Sequence, residues 1–161
     1  MPLSKTVLAS LAVVSFAGLA IVPAGAQSYT TRQNAAGMCQ GALPQFAGSL
    51  RARPLALANE GTSDAFITCS LVAENARRYQ FINPLFFNRS GVATTATCTI
   101  VTGHVHSSPW YYTRTVSLPA GGGASIELTP NGADPSNMFN MNCRLPAGVE
   151  LNYIRLDPQT T

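Results

Sequence analysis

The sequence FNMNCRL at residues 139–145 decides the fold class of this 161-residue chain. Apolar or sulfur-bearing residues at every second position alternate with polar ones at the positions between them. Because successive side chains of a β-strand point to opposite faces of a sheet, this alternation predicts a strand with one buried face and one polar face. A strand of this kind belongs to a sheet that covers a core on one side only.

Beyond the first 38 residues, the rest of the chain also consists of short predicted strands separated by turn residues. Threonines favour strand over helix at 93–101, because branching at Cβ suits a pleated surface. Pro54 weakens one run, and Pro84 suggests a bulge or a break in another. No convincing amphipathic helix occurs beyond residue 26. The eight predicted strands are 50–59, 65–72, 79–87, 93–101, 110–118, 125–129, 139–145 and 149–156.

Short strands at this spacing predict two packed antiparallel sheets. The expected fold is therefore all-β, an antiparallel β-sandwich of Ig-like or jelly-roll type. The strand order within the sheets does not follow from the sequence.

The first 26 residues read as an export signal. Lys5 gives a positive start, an apolar run covers 7–22, and small residues at 24–26 form a cleavage site. The apolar run is shorter than the roughly 20 residues of a membrane-spanning helix. We expect residues 1–26 to be a cleaved signal peptide and the protein to be secreted or periplasmic, with no membrane span after cleavage. Residues 27–38 are predicted to be a flexible lead-in, 39–158 a single β-sandwich domain and 159–161 a tail.

The chain has four cysteines, which allow three pairings. Export would place them in an oxidising compartment, where disulfides form and persist. None lies in a close Cys-x-x-Cys pair, which argues against a zinc site. Spacing favours Cys39 with Cys69 and Cys98 with Cys143, because these pairs would tie neighbouring elements.

Charge is sparse, with ten Lys and Arg against seven Asp and Glu. So small an excess predicts no nucleic-acid partner, because such binding needs clustered positive charge. No nucleophile elbow or phosphate loop is present, and no cofactor is predicted.

Two histidines, His104 and His106, would share one face of an extended strand. They could begin a metal site, with a third ligand from a distant position such as Glu127 or Asp134. A metal-assisted hydrolase that uses the two histidines is therefore the alternative functional hypothesis. In the simpler interpretation they are two exposed imidazoles at a strand end.

Trp110, Tyr111 and Tyr112 form the second candidate site. Aromatic rings give a large amphipathic contact area, which suits a glycan, a surface polymer or a protein partner. In a strand Trp110 and Tyr112 would share one face and Tyr111 the other, so one side of the trio is expected in the core. The leading hypothesis is an exported non-enzymatic binding or structural module of the cell envelope or extracellular space. A structural role would use pairing between edge strands of two copies.

The element Cys143-Arg144-Leu145-Pro146-Ala147-Gly148 resembles a Cys-x-Leu-Pro-x-Gly element found before the final strand of a group of small secreted bacterial proteins. These proteins are largely without assigned function. The resemblance covers mainly the C-terminal third of the chain. It implies a disulfide-bonded β-sandwich and no particular activity.

Overall fold

The computed structural model describes residues 30–72, 79–102, 109–129 and 138–158. These residues form two antiparallel sheets that pack face to face, so the prediction of an all-β sandwich is confirmed. The described residues form eleven strands, where eight were predicted for the chain. The strands are β1 (Thr31–Asn34), β2 (Cys39–Gly41), β3 (Leu50–Arg53), β4 (Ala56–Asn59), β5 (Ala65–Val72), β6 (Tyr79–Asn88), β7 (Thr94–Thr102), β8 (Trp110–Leu118), β9 (Gly123–Ser125), β10 (Met138–Leu145) and β11 (Val149–Pro158).

The larger sheet has six strands in the order β3-β4-β11-β6-β9, and β1 pairs with the C-terminal half of β11. The smaller sheet has five strands in the order β2-β5-β10-β7-β8. The chain passes from the five-stranded to the six-stranded sheet between β10 and β11. A turn makes this passage, in which Val149 N–H donates to the Pro146 carbonyl and Gly148 has φ 74°. A positive φ of this kind favours glycine.

The core lies between the sheets and follows the alternation that the sequence shows. On β10, Phe139, Met141, Cys143 and Leu145 are all buried. The six-stranded sheet contributes Phe86, Leu151 and Ile154, among others, to the same cluster. Each fully buried large apolar side chain stabilises the fold by about 1.5–3 kcal/mol relative to exposure.

Both predicted disulfides are confirmed. Cys39 bonds to Cys69 and Cys98 bonds to Cys143. In each pair the two residues lie directly opposite each other on neighbouring antiparallel strands. The four half-cystines are buried.

Residues 27–38 were predicted to be a flexible lead-in, and the structure has secondary structure there from Thr31 onward. Strand β1 pairs with β11, and a short helix α1 (Ala35–Met38) follows it. The Asn34 side chain caps that helix by accepting from the N–H of Ala36. Ala35 is fully buried. Long-range pairing with β11 therefore orders a segment whose own sequence shows no apolar period.

Residues 50–59 also differ from the prediction of one strand. They form the hairpin β3–β4, whose register pairs Arg53 with Ala56 across Pro54 and Leu55. Proline is suited to such a turn, because its fixed φ fits the corner and it has no N–H to donate. Pro84 neither breaks nor bulges its strand, because β6 is continuous there and pairs with β11.

The predicted signal peptide (1–26), His104, His106 and the predicted tail (159–161) lie outside the described residues. None of the helices in the described ranges is long and apolar enough to cross a membrane.

Candidate ligand-binding groove

An open groove of about 650 Å³ runs over the outer face of the six-stranded sheet. Its residues come from strands that are distant in sequence but adjacent in the sheet, chiefly β1, β6 and β11. The Pro54–Leu55 turn and the start of β9 form its margins. The lining residues are Arg32, Gln33, Asn34, Leu55, Leu85, Phe86, Phe87, Arg89, Gly123, Glu150, Asn152 and Tyr153.

The apolar floor of the groove is made by Leu85, Phe87 and Tyr153, all half-buried. Leu85 and Phe87 face outward because they flank Phe86, whose side chain points into the core. Leu85 lies opposite Tyr153 on β11. Leu55 stands at the margin with 76% of its surface exposed.

A bulge in β11 turns Tyr153 toward the groove. The pairing of β11 with β6 shifts register between Leu151 and Tyr153, which leaves Asn152 as the additional residue. Leu151 and Ile154 consequently both point into the core. Asn152 and Tyr153 both line the groove.

Gly123 on β9 lines one side of the groove without a side chain. A Cβ at this position would lie 3.5 Å from Cδ2 of Phe87 and 3.1 Å from the Phe86 carbonyl oxygen. A Cβ would therefore make an ordinary contact with the Phe87 ring and a tight one with the Phe86 carbonyl oxygen. The glycine leaves this aromatic side chain accessible from the β9 side.

A buried carboxylate lies beside the apolar floor. Glu150 is only 3% exposed, and Arg89 donates to it through Nε at 2.6 Å and through Nη2 at 3.0 Å. Asn152 Nδ2 donates to the same carboxylate at 3.3 Å. The hydrogen bonds from Arg89 hold the pKa of Glu150 below its ordinary value, and they outweigh burial, which acts in the opposite direction. The ion pair also raises the pKa of Arg89.

Two guanidinium groups lie over the aromatic rings of the floor. Cζ of Arg32 is 5.5 Å from the ring centroid of Tyr153, and Cζ of Arg89 is 5.5 Å from that of Phe87. Both distances are within the range of a cation–π interaction. The groove thus combines an apolar surface, one ionised carboxylate, three amide side chains and two cations.

The predicted aromatic site is on the other sheet, at the start of edge strand β8. Trp110 is 49% and Tyr111 62% exposed, and they point to opposite faces of the strand. Tyr112 packs against the core, with Arg114 Cζ 4.6 Å from its ring centroid. Of the three residues, Tyr112 is the one that is partly buried against the core. The trio therefore forms no single platform, and ligand binding by these residues stays a prediction.

The predicted metal site at His104 and His106 stays a prediction as well, because both histidines fall outside the described residues. Within the described ranges, no group of three His, Cys, Asp or Glu residues is arranged to hold a metal ion. Glu127, one of the suggested third ligands, is exposed beyond the end of β9.

Sequence reasoning did not find the groove. Arg32 was assigned to the lead-in, and strict alternation along β11 would have placed Tyr153 on the core side with Leu151. The only usable signal was the aromatic run at 79–87, in which Leu85 and Phe87 alternate with Phe86.

Comparison with known proteins relates the chain to carbohydrate-binding modules by fold. The C-terminal CBM6 of the laminarinase LamC from Zobellia galactanivorans superposes with a TM-score of 0.51 at 10% identity, over 80% of this chain and 99% of that chain. CBM6cm-2 of Cellvibrio mixtus lichenase 5A, a carbohydrate-binding module in complex with cellotriose, superposes with a TM-score of 0.49 at 14% identity. The alignment covers 81% of this chain and 98% of that chain. An exo-β-1,3-galactanase from Phanerochaete chrysosporium with galactose superposes with a TM-score of 0.49 at 15% identity. The alignment covers 80% of this chain and 29% of that chain.

The superposition on the Zobellia module, at 10% identity, shows a shared fold. No protein-family model matches the sequence, and neither does any curated protein. The chain has the β-sandwich architecture of the Zobellia module, which it covers almost end to end.

Proposed function

We propose that this chain is an exported, non-enzymatic binding module that holds a glycan in the groove of the six-stranded sheet. The observation that carries the proposal is the apolar floor of Leu85, Phe87 and Tyr153 beside the polar cluster of Arg89 and Glu150. Sugars present an apolar ring face together with hydroxyls around its edge. Aromatic rings can pack on that face, while fixed donors and acceptors bind the hydroxyls.

The fold supports the proposal. The solved structure from Zobellia galactanivorans that shares this architecture is a carbohydrate-binding module. Its likeness to this chain concerns the fold, so the assignment of a glycan depends on the groove itself.

The chemistry of the groove favours binding over hydrolysis. Glycoside hydrolysis commonly uses two carboxyl groups, one of them protonated. The described lining contains one carboxylate, Glu150, and its interaction with Arg89 favours the ionised form. Glu150 is suited to accept hydrogen bonds from sugar hydroxyls and to fix Arg89 as a donor.

The proposal includes export to the periplasm or the extracellular space. Residues 1–26 have the pattern of a cleaved signal peptide. Two disulfides suit an oxidising compartment. The resemblance of the Cys143-to-Gly148 element to small secreted bacterial proteins agrees with this location.

The experiment is a glycan array probed with the purified disulfide-bonded protein, followed by calorimetry with the best oligosaccharide. Phe87→Leu and Tyr153→Leu remove the aromatic faces but keep apolar volume, and we expect each to weaken binding about tenfold or more. Trp110→Ala and Tyr111→Ala, on the other sheet, are the matched aromatic controls and should leave the affinity within about twofold.

Two results would contradict the proposal. One is the absence of any array signal from the folded protein. The other is loss of binding in the Trp110→Ala or Tyr111→Ala variant while the groove variants bind as tightly as wild type. That result would place the site at β8.

A further inference from the structure

We propose that the groove selects an acidic glycan, one whose sugar rings carry a carboxylate or a sulfate, and that Arg32 binds this anionic group. The inference rests on the proposed function, because it assigns a ligand class to the same groove. It follows from the charge that the groove leaves unneutralised.

Arg32 lies on the exposed face of β1, which forms one wall of the groove. The Cζ of its guanidinium lies 5.5 Å from the ring centroid of Tyr153, which places a cation beside the apolar floor. Guanidinium groups bind carboxylate and sulfate oxygens through parallel N–H donors, and no carboxylate of the described residues engages those of Arg32. An acidic sugar could thus place its ring on the floor and its anion against Arg32.

Arg32 is one of two arginines in the described ranges that have no carboxylate partner. Arg89 is neutralised by Glu150, and elsewhere Arg51 and Arg53 contact Glu60, Arg144 contacts Asp64 and Arg155 contacts Asp157. No carboxylate of the described part of the chain pairs with Arg32 or with Arg114. Of these two, only Arg32 lines the groove.

The neighbouring polar groups of β1 are already occupied by the fold. Asn34 donates to the Pro54 carbonyl and accepts from Ala36 N–H. Gln33 donates to the carbonyl of Val72 and accepts from its N–H. Arg32 is therefore the side chain through which this wall can offer charge-assisted donors to a ligand.

The net charge of the described lining points to the same ligand class. Arg32 and Arg89 contribute two positive charges, and Glu150 contributes one negative charge. A neutral glycan would leave the excess positive charge uncompensated, whereas an anionic sugar would neutralise it.

The test is calorimetry at low salt with four trisaccharide probes: trigalacturonate, a sulfated galactan trisaccharide, cellotriose and xylotriose. We expect at least one acidic probe to bind about tenfold or more tightly than the neutral ones, and this preference should shrink as salt is added. The two acidic probes distinguish a carboxylate from a sulfate as the recognised anion.

Arg32→Gln should abolish the preference for the acidic probe while leaving weak binding to the neutral probes. The matched control is Arg114→Gln, which removes an exposed arginine stacked on Tyr112 outside the groove and should leave the preference intact. Arg32→Lys should recover part of it, because lysine restores the charge without the planar donor pair.

Equal affinity for acidic and neutral probes, or an acidic preference that survives Arg32→Gln, would overturn this inference while leaving the proposed function standing. If none of the four probes binds, the glycan array decides between the two proposals. An array signal from neutral glycans alone contradicts the acidic ligand class, and an empty array contradicts the binding function itself.

Discussion

Glu150 is a carboxylate that the fold buries at the margin of an open groove, and Arg89 compensates for that burial. Because Arg89 is largely exposed, the pair is partly screened by solvent and stabilises less than a fully buried pair would. Its role is also positional. The two hydrogen bonds fix the Arg89 guanidinium near the Phe87 ring.

Replacing Glu150 with Gln should lower the free energy of unfolding by about 1–2 kcal/mol near neutral pH, because charge-assisted hydrogen bonds are lost. The folded pKa of Glu150 lies below the unfolded value of about 4.3, so its stabilisation is complete above that value and is lost as pH falls through the folded pKa. The difference between wild type and Glu150→Gln should therefore shrink as pH falls from about 5 to 2.

Urea denaturation across this pH range measures both effects. Glu127→Gln is the control, because Glu127 is exposed, makes no ion pair with the described residues and should contribute within about 0.5 kcal/mol. A Glu150→Gln variant as stable as wild type at neutral pH would contradict the account of this residue.

The sequence predicts residues well where a strand alternates without interruption. In residues 139–145 every apolar position is buried as expected. Tyr153 could not be placed in the same way, because the bulge at Asn152 changes the alternation and only the pairing with β6 reveals it. Arg32 was missed because its strand is stabilised by β11, more than a hundred residues away in sequence.

At the scale of elements, each of the two disulfides joins two neighbouring strands of the five-stranded sheet. One joins β2 to β5, and the other joins β10 to β7. The two bonds span 30 and 45 residues of sequence. Each therefore restricts the unfolded chain considerably.

Replacing Cys98 and Cys143 together with Ala should lower the free energy of unfolding by about 4 kcal/mol, and the matching change at Cys39 and Cys69 by slightly less. We expect the larger loss for Cys98 and Cys143 because their disulfide closes the longer loop. Urea denaturation of the two double variants under non-reducing conditions measures this. A loss of less than about 1 kcal/mol in both would contradict the stabilising role.

Element boundaries show what local sequence can and cannot decide. Pro54 was predicted to weaken a single strand or place it at an edge, whereas it lies in the turn between β3 and β4, and only the pairing of these two strands shows that the chain reverses there. Likewise, the run 125–129 yields only the last residue of β9 and an isolated bridge between Leu128 and Ile82. Pairing with strands that are distant in sequence decides where each strand begins and ends, and a single sequence does not show this pairing.

At the scale of the whole molecule, each sheet has an outer face of different character. The five-stranded sheet presents rows of hydroxyls, in which Thr97 contacts Thr115 and Thr99 contacts Thr113 across β7 and β8. The six-stranded sheet presents aromatic, aliphatic and charged groups around the groove. The proposed glycan site uses this mixture of apolar and charged groups on the six-stranded sheet.

Export predicts a specific processed form. Expressed with its own leader in a bacterial host, the protein should be recovered outside the cytoplasm with Gln27 as its first residue and with no free thiol. N-terminal sequencing and thiol titration of the denatured protein check this. Recovery of the intact 17.0 kDa chain from the cytosol with four free thiols would contradict it.

The most direct test of the central claim is chemical-shift mapping by NMR. The isotopically labelled protein would be titrated with the oligosaccharide that binds best on the array. We predict that the amide shifts that change will cluster at β1, at residues 85–89 and at 150–153, the strands that line the groove. Changes confined to β8 around Trp110 and Tyr111, or to any other part of the surface, would contradict the claim that this groove is the glycan site.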